Sequence, residues 1–241
     1  MDNSVFTKQY MNKYTKDDEL VWKKLYNNQW DYLKETMVAS RLFYDGMREL
    51  QLSGENIPKF SDINKVLLKT SGWKIRAVKG IVDDELFFQC LREKTFPVTT
   101  WLRSKDSLDY IEEPDMFHDL FGHVPFLTNP LYTKFLERIG NHAKQIFESD
   151  DKDRQRKISR LYWYTIEFGL VRRNTNIYDI YGAGILSSIH ESKTSIHPES
   201  EKRPFNTTIL NEQFKKDELQ SFYAYLNSDL KFINQIKIED I

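Results

Sequence analysis

At about 150 residues per domain, the 241 residues make one large domain or two small ones. Hydrophobic residues at 40% and charged residues at 29% suit a soluble globular chain and exclude disorder, while 35 Lys and Arg against 36 Asp and Glu argue against a broad nucleic-acid surface. No apolar stretch approaches the about 18 residues of a membrane span, the polar start Met1-Asp2-Asn3-Ser4 has no signal-peptide core, and Cys90 alone allows no internal disulfide, so a reducing cytoplasm is expected. Nine glycines and seven prolines are fewer than the average usage of about 12%. Few breakers mean long regular elements, mainly helices. The 16 Phe, 13 Tyr and 5 Trp fit a ring-rich core or a pocket for a flat ligand, and composition alone favours the core.

Thr15 before Lys16-Asp17-Asp18-Glu19 reads as an N-cap with acids in the first turn. Leu20, Leu25, Trp30 and Leu33 follow as apolar anchors at helical spacing. A second helix is expected over residues 36–50, with Val38, Leu42 and Leu50 on its apolar face and Gly54 in the following loop. Ser61-Asp62 opens a third helix that Gly72 ends. The alternation across residues 73–78 predicts a strand, followed by Gly80. Asp83-Asp84-Glu85 begins a helix through Phe87, Phe88 and Leu91. Residues 96–102 are extended, with Pro97 marking an edge strand. Asn129-Pro130 fits an N-cap followed by Pro at the first helical position. The charged run over residues 150–160 reads as a solvated helix face leading into Leu161-Tyr162-Trp163-Tyr164, with Gly169 as the stop. No repeat and no low-complexity linker divides the chain.

Two of the five histidines, His118 and His123, lie five residues apart among acids and rings. Imidazole suits iron, zinc or copper. On a straight helix positions i and i+5 point roughly 140° apart, so both reach one ion only if the helix ends or distorts between them. Gly122 and Pro125 allow such an ending. By spacing alone, unrelated core or surface histidines are the simpler reading. Glu167 sits in the apolar run Leu161-Tyr162-Trp163-Tyr164-Thr165-Ile166-Glu167-Phe168. Buried there, it would need a cation or strong donors; otherwise it faces solvent on an amphipathic helix. Joined to the two histidines, it would complete a two-His, one-carboxylate facial triad.

Three segments carry a resemblance. They are Glu113-Pro114-Asp115-Met116-Phe117-His118-Asp119-Leu120-Phe121-Gly122-His123-Val124-Pro125, Tyr162-Trp163-Tyr164-Thr165-Ile166-Glu167-Phe168-Gly169-Leu170 and Tyr181-Gly182-Ala183-Gly184-Ile185-Leu186-Ser187-Ser188. In order and separation they resemble the pterin-dependent aromatic amino acid hydroxylases. The match runs from about Tyr14 to about Ile233. The stretch from Tyr14 to Trp22 and Phe96-Pro97-Val98-Thr99-Thr100 resemble the family's short bacterial branch, which acts on phenylalanine.

The resemblance implies roles. His118, His123 and Glu167 match the iron ligands. Arg103 matches the arginine that holds the substrate carboxylate, and a guanidinium fork suits that task. Asp115 matches an acid that orients Arg103 and a ligand histidine. Trp163 matches the ring packed against the substrate ring, and Pro114 lines the same pocket. Ser187 matches a hydroxyl near the substrate's amino-acid end, where Gly184 allows close backbone approach. For the pterin, Phe87 matches the stacking ring, and Gly80 and Val82 the loop whose backbone addresses the pterin edge. Tyr162 matches a tyrosine close to iron and cofactor, and Glu113 an acid lining the cofactor side. Asp119 stands where relatives often carry Glu in contact with pterin. Ile111 falls where animal members often carry a substrate-binding hydroxyl.

The implied fold is a single catalytic domain over residues 1–241, mainly α with short β-strands (α+β). The chain is too short for both the regulatory domain and the tetramerisation helix of animal members, so a monomer is expected. The implied activity is hydroxylation of L-phenylalanine to L-tyrosine with Fe(II), dioxygen and a tetrahydropterin, tetrahydrobiopterin or a bacterial equivalent, with no nucleic-acid or membrane partner. A tryptophan hydroxylase, a non-catalytic pterin- or metal-binding protein and a zinc hydrolase remain as alternatives, since His and carboxylate serve both iron and zinc.

Overall fold

The computed structural model describes residues 4–108, 113–149, 151–214, 220–227 and 230–241. Helix α1 (Lys16–Thr36) starts where its cap predicts: the Thr15 hydroxyl accepts from the Asp18 N–H at 3.2 Å, and Asp18 accepts from the Thr15 N–H at 2.7 Å. Its buried stripe is Val21, Trp22, Leu25, Tyr26 and Leu33. Leu20, expected as an anchor, is instead 56% exposed. The second helix begins later than expected. Met37 turns left-handed at φ 51°, and the chain then runs straight enough for Val38 O to accept from Ile180 N–H at 2.7 Å and Ser40 N–H to donate to Ile180 O at 2.7 Å. That long-range pairing holds residues 38–40 out of the helix, so α2 spans Arg41–Leu50.

Helix α3 (Phe60–Thr70) ends at Gly72, whose φ of +76° lets its N–H reach Leu67 O at 3.0 Å. Strand β1 (Lys74–Val78) pairs parallel with β2 (Thr95–Thr99) across α4 (Asp84–Arg92). The sheet has two strands, so Pro97 needs no second neighbour. The Asp83 carboxylate caps α4 through the Leu86 N–H. Helix α5 (Pro130–Glu148) is capped by Asn129 through the N–H groups of Leu131 and Tyr132. Helix α6 (Lys152–Tyr162) carries the charged run with Ile158 as its first buried residue; Asp150 lies outside the described residues.

The second half holds a sheet the pattern did not announce. Strands β3 (Leu170–Asn174) and β4 (Ile177–Ile180) form an antiparallel pair. After α7 (Ala183–Leu186) and α8 (Ile189–Ile196) come β5 (Lys202–Pro204) and β6 (Tyr223–Leu226). The order is β4-β3-β6-β5, with β6 parallel to both β3 and β5. The mainly helical, few-strand architecture matches the sequence expectation. Among the described residues no helix is long and apolar enough to cross a membrane.

The rings fill the core. Trp22 meets Phe117 edge-on at 5.7 Å, and Phe121 packs against Tyr26 and Phe43, each at 5.5 Å. Phe117 and Phe121 thus hold one face of the His118–His123 segment against α1 and α2, with Leu120 and Val124 buried in the same core. Gly122 sits where a Cβ would come within 2.7 Å of the Ala183 carbonyl, so α7 lies directly on that turn. Gly122→Ala should therefore push α7 away and cost about 1–3 kcal/mol of stability, read as a lower chemical-denaturation midpoint. An unchanged midpoint would show that the contact is soft.

Candidate active site

His118–His123 forms a wide, π-helical turn, in which the backbone bonds run i to i+5. That register supplies the distortion the histidine spacing demands. The helix does not end there; it tightens into a 3₁₀ turn over Val124–Thr128, with Pro125 at its start. His118 Nε2 and His123 Nε2 lie 3.1 Å apart. A second wide turn, Trp163–Glu167, extends α6 and closes with Phe168 N–H on Trp163 O at 3.0 Å. It delivers Glu167 to the same point, 2.8 Å from His123 Nε2 and 3.6 Å from His118 Nε2. Their donor atoms all fall within 4.8 Å of one another, and among the described residues no other such group converges.

The hydrogen bonds around this trio set its charge state. Ser187 Oγ donates to Ala183 O at 2.8 Å and lies 2.9 Å from His118 Nδ1. Its one proton is engaged, so it accepts from Nδ1–H, and this network assigns His118 a bare Nε2 lone pair facing His123 and Glu167. Burial favours the neutral imidazole of His118 and lowers its pKa to about 4. Burial alone would raise Glu167, but the two imidazoles and hydrogen bonds from His123 and the Tyr162 hydroxyl hold it at about 2. A bare imidazole nitrogen and an ionised carboxylate converging in a buried place are what a divalent cation requires of its ligands. The residues fit the group the sequence implies.

Asp115 is buried beneath them. Its carboxylate accepts from the N–H of His118 at 3.0 Å, from the N–H of Arg103 at 3.0 Å, and from Arg103 Nε and Nη2 at 2.9 and 3.0 Å. Burial would raise this carboxyl, but the Arg103 guanidinium holds it below the ordinary range. Arg103 Nη1 donates to Leu108 O at 3.1 Å. A guanidinium has five N–H donors, so two remain for a ligand. Asp119 accepts from the N–H and hydroxyl of Thr99 at 2.7 and 2.9 Å, yet burial still raises it to about 7.

A cavity of about 960 Å³ opens over the trio. Its wall brings together Gly80, Val82, Phe87, Arg103, Pro114, His118, Asp119, His123, Tyr162, Trp163, Glu167, Gly184 and Ser187. Phe87 meets Tyr162 edge-on at 4.9 Å, and Trp163 stacks on Phe214 at 5.2 Å. Asp115 stands behind Arg103 rather than on the wall. Glu113 is exposed and forms no part of the wall, so the structure does not bring it to the others. Ile111 lies outside the described residues. Sequence reasoning missed Thr99, Phe96, whose ring lies 4.7 Å from His123, and Glu191. Phe96 and Thr99 lay in the stretch that resembled the bacterial branch without being given roles, and Glu191 had a signal in the helix-start pattern Ser188-Ile189-His190-Glu191.

A family model described as biopterin-dependent aromatic amino acid hydroxylase matches residues 8–238. The chain belongs to this family. Among relatives of this hydroxylase, phenylalanine-4-hydroxylase of Chromobacterium violaceum is 38% identical over 222 residues, covering 91% of this chain and 73% of that one. The Pseudomonas aeruginosa protein of the same name is 37% identical over 229 residues, 95% of this chain and 84% of that one. A crystal structure of the Chromobacterium violaceum enzyme with bound iron(III) and 7,8-dihydrobiopterin superposes with a TM-score of 0.91, at 35% identity, over 100% of this chain and 86% of that one.

The hydroxylase's Asp119 gives a pH prediction. Its folded pKa stands above the unfolded value of 3.8. Its contribution is therefore full below that value and is lost as pH rises to about 7. Asp119→Asn should match wild type in stability near pH 4 and exceed it by on the order of 4 kcal/mol above pH 7 in metal-free protein. Denaturant melts across pH 4–8 check this. A constant difference between the two proteins would sink it.

Proposed function

We propose that this hydroxylase converts L-phenylalanine to L-tyrosine, using Fe(II), dioxygen and a tetrahydropterin. The observation that carries the reading is the bare His118 Nε2 meeting His123 and Glu167 on the wall of a ring-lined cavity. The names of the bacterial relatives support the substrate. In this reading His118, His123 and Glu167 hold the iron. Bound iron and tetrahydropterin together supply the activation of dioxygen.

The chain's own residues do the placing. Arg103, held rigid by Asp115, offers its two remaining N–H groups to the substrate carboxylate. Trp163, backed by Phe214, gives a flat surface for the substrate ring, with Pro114 and Gly184 shaping the sides. Ser187 orients His118, its proton engaged by Ala183 O and one of its two lone pairs by His118, and the second lone pair is left for the substrate's amino-acid end. On the opposite side Phe87 offers its ring to the pterin, the Gly80 to Val82 loop its backbone, and Asp119 its carboxyl. Tyr162 holds Glu167 through its hydroxyl. Glu113 takes no part in this reading. Phe87, Phe88 and Phe96 keep water from the reacting atoms. A reducing cytoplasm suits both Fe(II) and Cys90, a buried thiol that burial raises to about 11.

Product analysis with purified protein, Fe(II), dioxygen and a tetrahydropterin tests the reading, with phenylalanine and tryptophan offered separately. Tyrosine that requires both iron and pterin is the expected result. Hydroxytryptophan as the favoured product would overturn the substrate, and no product from iron-loaded protein would favour a binding role. Glu167→Gln should lower iron content and reduce turnover by more than the roughly 10–100-fold that loss of a supporting group costs. Unchanged iron and turnover in that variant would defeat the ligand assignment.

A further inference from the structure

An α-amino acid presents a carboxylate and an ammonium from one carbon. The proposed reading gives the carboxylate a charged partner in Arg103 but gives the ammonium no charged partner. Four acids line the cavity: Asp84, Asp119, Glu167 and Glu191. Glu167 belongs to the metal trio, Asp119 is assigned to the pterin in the proposed reading, and Asp84 is exposed, so its charge is met by water. Glu191 remains.

Its local sequence predicts a different fate. Ser188 and Glu191 stand at the N-cap and third position of α8, the spacing of a capping box. Half of that box forms, with Ser188 Oγ accepting from Glu191 N–H at 3.2 Å. The Glu191 carboxylate does not fold back to complete it. It instead accepts from the Tyr223 hydroxyl on β6 and from the Gln220 backbone. These two bonds fix a buried carboxylate on the cavity wall and leave lone pairs free, since a carboxylate offers about four acceptor sites. Among the described residues no Lys or Arg pairs with it, and burial raises its pKa. A buried carboxylate without a cation is costly, and a ligand ammonium would supply the missing charge.

Glu191 and Arg103 are also built on one relay. Asp115 ties Arg103 to the His118 backbone, His118 is tied to Ser187, and the next residue, Ser188, caps the helix bearing Glu191. We infer that Glu191 is the acceptor for the substrate ammonium, so that Arg103 and Glu191 together select free α-amino acids. This inference rests on the proposed reading of the cavity.

Calorimetric binding to iron-loaded protein tests it with two ligands, L-phenylalanine and 3-phenylpropanoate, which keeps ring and carboxylate but lacks the ammonium. Wild type should bind phenylalanine more tightly. Glu191→Gln should weaken phenylalanine by about 10- to 100-fold while changing 3-phenylpropanoate less than about twofold, with KM for the pterin unmoved. Tyr223→Phe, which frees the carboxylate without removing it, should give a smaller loss of the same selectivity. Equal weakening of both ligands would make Glu191 a structural tie between α8 and β6, and no weakening would remove it from the site; either overturns the inference. Selective phenylalanine binding by a wild type that forms no tyrosine would refute the proposed reaction yet leave the ammonium site standing.

Discussion

The Asp115 carboxylate is the group on which this site turns. It is wholly buried, and four N–H donors converge on it: two from the Arg103 side chain, one from the Arg103 backbone and one from His118. A buried charge is tolerable only when paired and fully hydrogen-bonded, and removing one partner of such a pair typically costs about 3–5 kcal/mol. The pair therefore joins folding to function. The same oxygen that receives the His118 N–H also receives the guanidinium, so the start of the histidine turn and the direction of the Arg103 fork are set together. A shift in one is transmitted to the other.

Above that anchor, two helices widen where they reach the cavity. Each wide turn replaces the usual i to i+4 bond with an i to i+5 bond, and this places side chains five apart on one side. In the first turn the consequence is direct, since His118 and His123 would diverge on a regular helix. In the second, the widening ends α6 at Glu167 just before Gly169, whose N–H returns to Thr165 O. Wide turns give poorer backbone bonding than a regular helix, and tertiary packing holds them. Phe117, Phe121 and Val124 lock the first turn into the ring core, and Tyr164 and Ile166 are buried beside the second.

The parts of the fold legible in the sequence are those decided within a few residues. Thr15, Asp83 and Asn129 each act as the cap their side chains predict, because the bonding partners lie two or three residues away. Where distant partners decide, the pattern misleads. Residues 38–40 look helical until Ile180 claims their backbone, and Leu20 looks like an anchor until the packing of Trp22 rotates the buried face past it. The strands β3 to β6 are short; β3 and β4 pair locally, but β6 joins β3 and β5 across long stretches of chain, so no local period marks the sheet. The site divides in the same way. The metal trio was visible as residue types at an awkward spacing, with Glu167 either its third member or a surface carboxylate, and the family likeness decided between the two. Thr99 lay in a stretch that resembled the family's bacterial branch, but nothing local gave it a role, because that role exists only once β2 lies against Asp119.

The cavity's charges are arranged at an energetic cost that its ligands can relieve. Burial is the main cause that lowers His118 and raises Asp119 and Glu191, each a sign that the charged form is disfavoured without a partner. Glu167 is the exception, ionised because two imidazoles and a tyrosine hydroxyl face it. A cation bound by the trio would take up the His118 lone pair and satisfy Glu167 at once, displacing the Nε2 proton that His123 donates to Glu167. Binding of this kind stabilises the folded chain by mass action. It also costs little reorganisation, because Ser187, Tyr162 and Asp115 already fix the orientations that the ligands need. The rigidity that keeps these charged forms electrostatically disfavoured is thus the same rigidity that prepares the site to bind.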